Sequence, residues 1–109
     1  TQHSETFATI GQLMPEDLAS VAAMGFQSVI NNRPDGEGGP DQPTSAQMAQ
    51  AAQAAGLTYA YLPVVAGMIT ADQARAFAHW LGEQPGPVLA FCRSGARSTQ
   101  LRDMARAFE

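Results

Sequence analysis

The sequence contains no lysine, a single cysteine and two histidines among its 109 residues. Its basic residues are six arginines against ten acidic residues, which gives a formal net charge of −4. This balance argues against a nucleic-acid-binding protein, because phosphate-backbone binding needs surplus positive charge. One cysteine and two scattered histidines do not make a zinc site, so we expect neither a metal nor another cofactor.

The single cysteine also excludes an internal disulfide, and a lone thiol is more typical of the cytoplasm, where we expect the protein to reside. No apolar run approaches the length of a membrane span, and the first residues lack the features of a signal peptide, so we expect no membrane contact. The missing initiator methionine indicates a processed, trimmed or excised domain. The length fits one domain over residues 1–109, with residues 1–5 as a polar arm.

Short apolar runs alternate with helical patterns along the chain. Thr70 and Gln73 have the spacing of a capping box before one such helix, and a wholly apolar strand of residues 86–91 precedes another, predicted over residues 98–108. The alternation predicts an α/β fold with a mostly parallel central sheet of about four to five strands and helices on both faces. Ligands of such sheets bind at the carboxyl ends of the strands, where Cys92 lies.

The segment that follows this last strand reads CRSGARS. A short loop that enters a helix turns several backbone N–H groups inward, and the helix dipole adds positive charge there. Gly95 supplies conformational freedom, while Ser94, Ala96 and Ser98 are small enough to leave the loop open. The segment therefore predicts an anion site.

Arginines reinforce this prediction, since residues 87–102 carry +3 in a chain whose total is −4. Arg93 and Arg97 belong to the loop itself, and Arg33 follows another strand at the same sheet edge. Cys92 is then either a buried core thiol or a nucleophile whose pKa is lowered by the anion site. The glycine, the arginines and the following helix favour the nucleophile.

Two family resemblances extend this interpretation. The CRSGARS segment resembles the active-site loop of rhodanese-type sulfurtransferases. The stretches GQLMPEDLASVAAMGFQSVINNRPDGEG, YLPV and GPVLAFCRSGARS together resemble domain of unknown function 442, a small bacterial phosphatase-like family found alone or fused to metallo-β-lactamase-fold hydrolases and sulfide-oxidation enzymes. That resemblance covers about residues 11–102 and implies a dual-specificity-phosphatase-like fold; the first implies a rhodanese-like one.

The two resemblances imply different chemistry. Cysteine-dependent phosphatases place their arginine six residues after the cysteine, whereas Arg97 lies five residues after Cys92, as in rhodaneses. Phosphatases also need a general acid, and residues 64–70, where we would look for it, contain none. Asp72 lies in the first turn of a helix, and Asp35 and Glu37 lie in a long loop; of these, Asp35 and Asp72 are the candidate acids.

We therefore expect a sulfurtransferase in sulfide or persulfide metabolism. Cys92 would take a sulfur atom from thiosulfate or a small persulfide and pass it to a thiol such as glutathione, with Arg97 and Arg93 binding the anionic donor. A fused or separate sulfide-oxidation enzyme is an expected partner. The alternative is a cysteine-dependent phosphatase that uses the same residues. A third interpretation is a non-catalytic module that senses anions or persulfides.

Overall fold

A computed structural model describes residues 1–108, and its centre is a four-stranded sheet. The strands are β1 (Phe7–Ile10), β2 (Ser28–Asn31), β3 (Thr58–Tyr61) and β4 (Val88–Phe91). They lie in the order β1-β4-β2-β3, and every neighbouring pair is parallel. The predicted mostly parallel sheet of four to five strands is confirmed.

Four α-helices connect and follow these strands. They are α1 (Leu18–Ala23), α2 (Ser45–Ala54), α3 (Ala71–Glu83) and α4 (Ala96–Ala105). Short 3-10 turns lie at Pro15–Asp17, Gly39–Asp41 and Arg106–Phe108. The predicted capping box is present at the start of α3, where Thr70 Oγ1 accepts a hydrogen bond from the Gln73 N–H at 3.1 Å.

The helices cover both faces of the sheet, as predicted. Alternate residues of β4 point to opposite faces, as strand geometry requires. Val88 and Ala90 join the core formed with α3 and α4, whereas Leu89 and Phe91 join the core formed with α1 and α2. Because both faces of β4 are buried, its sequence is continuously apolar.

The last helix begins earlier than the sequence pattern predicts. The sequence predicts a start near Ser98, but α4 begins at Ala96, immediately after Gly95. Gly95 has φ +92°, and a Cβ atom there would lie 3.2 Å from the carbonyl carbon of Ile10. The glycine therefore permits a direct turn from loop to helix and places Arg97 in the first helical turn.

The carboxyl ends of three strands converge on one edge of the sheet. Cys92 follows β4, Asn32 and Arg33 follow β2, and residues 62–70 follow β3. At the opposite end of β1 the predicted polar arm folds back, with the N–H groups of His3 and Ser4 donating to the Phe7 carbonyl. None of the helices in the described part of the chain is long and apolar enough to span a membrane.

Candidate active site

Cys92 is enclosed by the loop that follows it. We call residues 92–98 the Cys92 loop. The cysteine is unpaired and only 1% exposed, and its Sγ atom accepts a hydrogen bond from the Gly95 N–H at 3.1 Å. The sulfur therefore faces the inward-turned backbone that the sequence predicts.

The surroundings of Cys92 change the pKa of its thiol. Burial alone raises this pKa, because it penalises the charged thiolate. Hydrogen bonds from the N–H groups of Ser98 and Ser94, from the Ser98 hydroxyl and from the Gly95 N–H stabilise the thiolate and outweigh burial. The net result is a pKa below the usual thiol value of 9.0, as a nucleophile requires.

The Ser98 hydroxyl has a second partner across the site. It donates to Asn32 Oδ1 at 2.8 Å, and Asn32 Nδ2 donates to the Leu62 carbonyl at 2.9 Å. A hydroxyl has one hydrogen, so it stabilises the thiolate only when it turns from Asn32 to the sulfur. Ser98 thus links the Cys92 loop to the ends of β2 and β3.

Replacing Ser98 with alanine should raise the pKa of Cys92. The substitution removes the hydroxyl but keeps the backbone N–H groups, so the thiolate loses part of its stabilisation. Thiolate absorbance followed against pH measures the change directly, with Ser20→Ala, at an exposed position of α1, as the control. An unchanged titration midpoint in Ser98→Ala would show that the backbone N–H groups alone set the pKa.

Arg97 binds an acidic residue from a distant loop. Its Nη1 donates to Glu37 Oε2 at 2.8 Å and to the Val64 carbonyl at 3.0 Å, and its Nη2 donates to Glu37 Oε1 at 3.0 Å. Its Nε is the one buried side-chain nitrogen or oxygen within residues 1–108 that has no hydrogen-bond partner. Buried donors are normally paired, so this unpaired N–H is a candidate donor to a bound anion.

Glu37 connects two arginines. Besides Arg97, it accepts a hydrogen bond from Arg33 Nε at 3.0 Å, while Arg33 Nη1 donates to Gln12 Oε1 at 3.0 Å. The hydrogen bonds from Arg97 lower the pKa of Glu37; burial opposes them, and Arg33 adds to the lowering. Glu37 is therefore held as a carboxylate, which suits a residue that positions Arg97 rather than a proton donor.

A cavity of about 510 Å³ lies beside this ion pair. It contains all three predicted anion-binding arginines; its lining is Arg33, Glu37, Gly38, Val65, Ala66, Arg93 and Arg97. The small loop residues Ser94, Gly95 and Ala96 instead line a second cavity with Thr9 and Thr99. The Cys92 loop therefore separates two cavities, and the arginines face the first.

The two candidate acids do not reach the arginine-lined cavity. Asp35 Oδ1 accepts a hydrogen bond from the Ser45 N–H at 2.7 Å and so holds the start of α2. Asp72 pairs with Arg75 at 3.0 Å, and its side chain is 90% exposed. The structure thus gives both a local role at a helix N-terminus, where acidic groups are favourable.

Three residues with side chains in the site were absent from the set predicted from the sequence: Glu37, Asn32 and Gln12. Asn32 follows β2, and its polar side chain is fully buried, although an asparagine directly after a strand looks like an ordinary turn residue in the sequence. Glu37 follows the same strand, so the argument that brings Arg33 to this sheet edge applies to it as well. No pattern in the sequence indicates that Gln12 belongs to the site.

The chain is similar to several known proteins. A family model described as "Beta-lactamase hydrolase-like protein, phosphatase-like domain" matches residues 2–109. A β-lactamase hydrolase-like protein of Agrobacterium fabrum is 42% identical over 97% of the chain. That match covers 24% of the relative, so the chain spans about a quarter of the length of the curated relatives it matches.

Solved structures agree with this family. A protein of Neisseria meningitidis described as a candidate phosphatase is 34% identical, with a TM-score of 0.89, over 97% of this chain and 75% of that one. The core catalytic domain of the PP-IP phosphatase SIW14 from S. cerevisiae shares the fold at 12% identity, with a TM-score of 0.62 over 94% and 70% of the two chains. The expected dual-specificity-phosphatase-like fold is confirmed.

The expectation of a rhodanese-type sulfurtransferase is wrong. It depended on the five-residue spacing between Cys92 and Arg97, yet the family model and the Neisseria relative both indicate phosphatase-like proteins. Nothing in the relatives bears on the expected sulfur donor, thiol acceptor or sulfide-oxidation partner, which stay predictions. The resemblance over residues 11–102 is confirmed: the chain belongs to the phosphatase-like domain family of the β-lactamase hydrolase-like proteins.

Proposed function

We propose that this chain is a cysteine-dependent phosphatase that hydrolyses phosphomonoesters through a phosphocysteine intermediate. The observation that carries the proposal is the unpartnered, buried Nε of Arg97, five residues after a cysteine whose thiol pKa is lowered. Together they provide a nucleophile and a donor for a phosphoryl oxygen. The family and the Neisseria relative support the same chemistry.

The proposed reaction has two steps. The Cys92 thiolate attacks phosphorus, a P–S bond forms, and the bond from phosphorus to the ester oxygen breaks. Water then attacks the same phosphorus, the P–S bond breaks, and inorganic phosphate leaves with the thiolate restored. In both steps Arg97 and the N–H groups of the Cys92 loop stabilise the negative charge on the phosphoryl oxygens.

Glu37 is not the proton donor in this scheme, because two arginines hold it as a carboxylate. The leaving oxygen takes its proton from solvent instead. Aryl phosphates are therefore suitable probes, because a phenolate leaves more readily than an alkoxide.

The direct test is phosphate release from 4-nitrophenyl phosphate by the purified chain, with tungstate binding measured in parallel. We expect turnover that tungstate inhibits competitively, since tungstate resembles phosphate. If tungstate binds but no phosphate is released, the chain is an anion-binding module and the proposal fails. If tungstate does not bind, the anion site itself is contradicted.

Replacing Glu37 with glutamine should lower kcat/KM about 10- to 100-fold. Glutamine has the same size but no charge, so Arg97 loses its paired carboxylate and its Nε is no longer held in place. Glu83→Gln is the matched control, because Glu83 is an exposed acid that pairs with His79. Equal activity in wild type and Glu37→Gln would contradict the positioning role.

The stability of Glu37→Gln should also depend on pH differently from the stability of wild type. The pKa of Glu37 is lowered in the folded protein, so its stabilising contribution is present above its usual pKa of 4.5 and is lost as pH falls through its folded-state value. Urea unfolding at several pH values should therefore show wild type losing more stability on acidification than Glu37→Gln. If Glu37 were instead a catalytic proton donor, its replacement would change how the hydrolysis rate falls at high pH.

A further inference from the structure

Arg93 differs from the other two arginines of the cavity. Arg33 and Arg97 are each 9% exposed, and both donate to the carboxylate of Glu37. Arg93 is exposed, and its guanidinium has no hydrogen bond or ion pair to any residue within 1–108. Three arginines and one glutamate leave the lining of the cavity with a net charge of +2, and Arg93 is the arginine of this lining that contacts no carboxylate.

The backbone of Arg93 is held in place although its side chain is free. Its carbonyl accepts a hydrogen bond from the Gln12 N–H at 3.2 Å. Gly11 packs against it so closely that a Cβ atom there would lie 3.2 Å from the Arg93 oxygen. A long charged side chain thus extends from a fixed point in the loop that carries Cys92.

The cavity also has an apolar wall. Val65, 51% exposed, and Ala66 line it together with Arg93. Its volume of about 510 Å³ lies in the range of about 300–1,000 Å³ that is typical of small-molecule sites. A substrate here would meet Arg97 and Arg93 of the Cys92 loop and an apolar surface beside them.

We propose that Arg93 selects substrates that carry a second anionic group beyond the phosphoryl group bound at Cys92. The substrate class is a small phosphomonoester with an apolar, for example aromatic, body and a carboxylate or second phosphate on it. Arg97 and the Cys92 loop bind the phosphoryl group that is transferred, Val65 and Ala66 contact the body, and Arg93 binds the second anion. This inference rests on the proposed phosphatase function.

The charge of the rest of the chain supports this assignment. The protein is acidic overall, so a strongly anionic macromolecule is repelled by most of its surface, whereas a small dianion or trianion reaches the local positive charge of the cavity. The guanidinium groups of Arg33 and Arg97 already donate hydrogen bonds to the Glu37 carboxylate. An additional anionic group on the substrate therefore finds its partner at Arg93.

The test uses two phosphonates that the enzyme cannot hydrolyse, 4-carboxybenzylphosphonate and 4-carbamoylbenzylphosphonate. They differ in the charge of the second group and are close in size. Calorimetry gives their Kd values for wild type, Arg93→Gln and the matched control Arg75→Gln, which removes an exposed arginine outside the cavity. Wild type and Arg75→Gln should bind the carboxylate about three- to tenfold more tightly, and added salt should reduce this preference.

Arg93→Gln should bind the two compounds equally. Equal binding by wild type, or an undiminished preference in Arg93→Gln, would overturn the assignment, and so would failure of both compounds to bind. A carboxylate preference that depends on Arg93, together with no hydrolysis of 4-nitrophenyl phosphate, would keep the recognition role and reject the phosphatase. Hydrolysis of 4-nitrophenyl phosphate without a carboxylate preference would keep the phosphatase function and reject the recognition role of Arg93.

Discussion

The Cys92→Ser variant should release phosphate from 4-nitrophenyl phosphate at least about 10³-fold more slowly than wild type. A serine hydroxyl holds its proton far more tightly than a thiol, and the hydrogen bonds that lower the pKa of Cys92 cannot make it an alkoxide near neutral pH. The loss should appear in kcat, because the donors that bind the phosphoryl group are unchanged.

Two control measurements show whether Cys92→Ser leaves the site intact. Serine is slightly smaller than cysteine and can accept the hydrogen bond from the Gly95 N–H, so the loop should keep its shape. Thermal unfolding and tungstate binding should therefore stay close to those of wild type. Full activity in Cys92→Ser would show that another group, or water, attacks the substrate.

The second large effect is expected for Arg97→Lys, with kcat/KM reduced about 10²- to 10³-fold. Lysine keeps the positive charge but lacks the planar fork that joins Glu37 and the Val64 carbonyl while Nε stays free. One ammonium group cannot satisfy the Glu37 carboxylate and a phosphoryl oxygen with the same geometry. Both substrate binding and the chemical step should weaken.

Arg75→Lys is the matched control for Arg97→Lys. Arg75 makes an ion pair with Asp72 on the surface of α3, and its side chain is 62% exposed. Exposed pairs of this kind contribute about 0–1 kcal/mol, so neither activity nor stability should change measurably. If Arg97→Lys retained full activity, charge alone would suffice and the importance of the guanidinium fork would be refuted.

Local patterns in the sequence were sufficient to predict the position of Cys92 at the edge of the sheet. The apolar run of β4 and the loop that follows it lie within a few residues of each other, and the alternation of strands and helices determines which edge of the sheet they reach. Capping at Thr70 is equally local. These features need no information from distant parts of the chain.

The Arg97–Glu37 pair could not be predicted in the same way, because its partners are 60 residues apart. Their contact depends on how the loop after β2 folds over the edge of the sheet, and an acid in a glycine-rich loop looks like many solvated acids. The candidate acids Asp35 and Asp72 show the converse error. Asp35 lies two residues after Arg33, and Asp72 lies two residues after the segment 64–70, yet each is used at a helix N-terminus.

The spacing between Cys92 and Arg97 was the least reliable guide to chemistry. Loop length suggested a site for sulfur, whereas the family model and the Neisseria relative indicate phosphatase-like proteins. In the structure α4 begins at Ala96, so Arg97 projects from the first helical turn and pairs with Glu37. The position of its guanidinium therefore depends on where the helix begins as well as on the number of residues after Cys92.

The phosphocysteine mechanism is tested most directly by acid quenching of the wild-type chain during turnover of 4-nitrophenyl phosphate, followed by mass spectrometry of its peptides. We expect one phosphoryl group on the peptide that contains Cys92, and none on that peptide in Cys92→Ser. Phosphate release without a phosphorylated Cys92 peptide, or with the phosphoryl group on another residue, would contradict it.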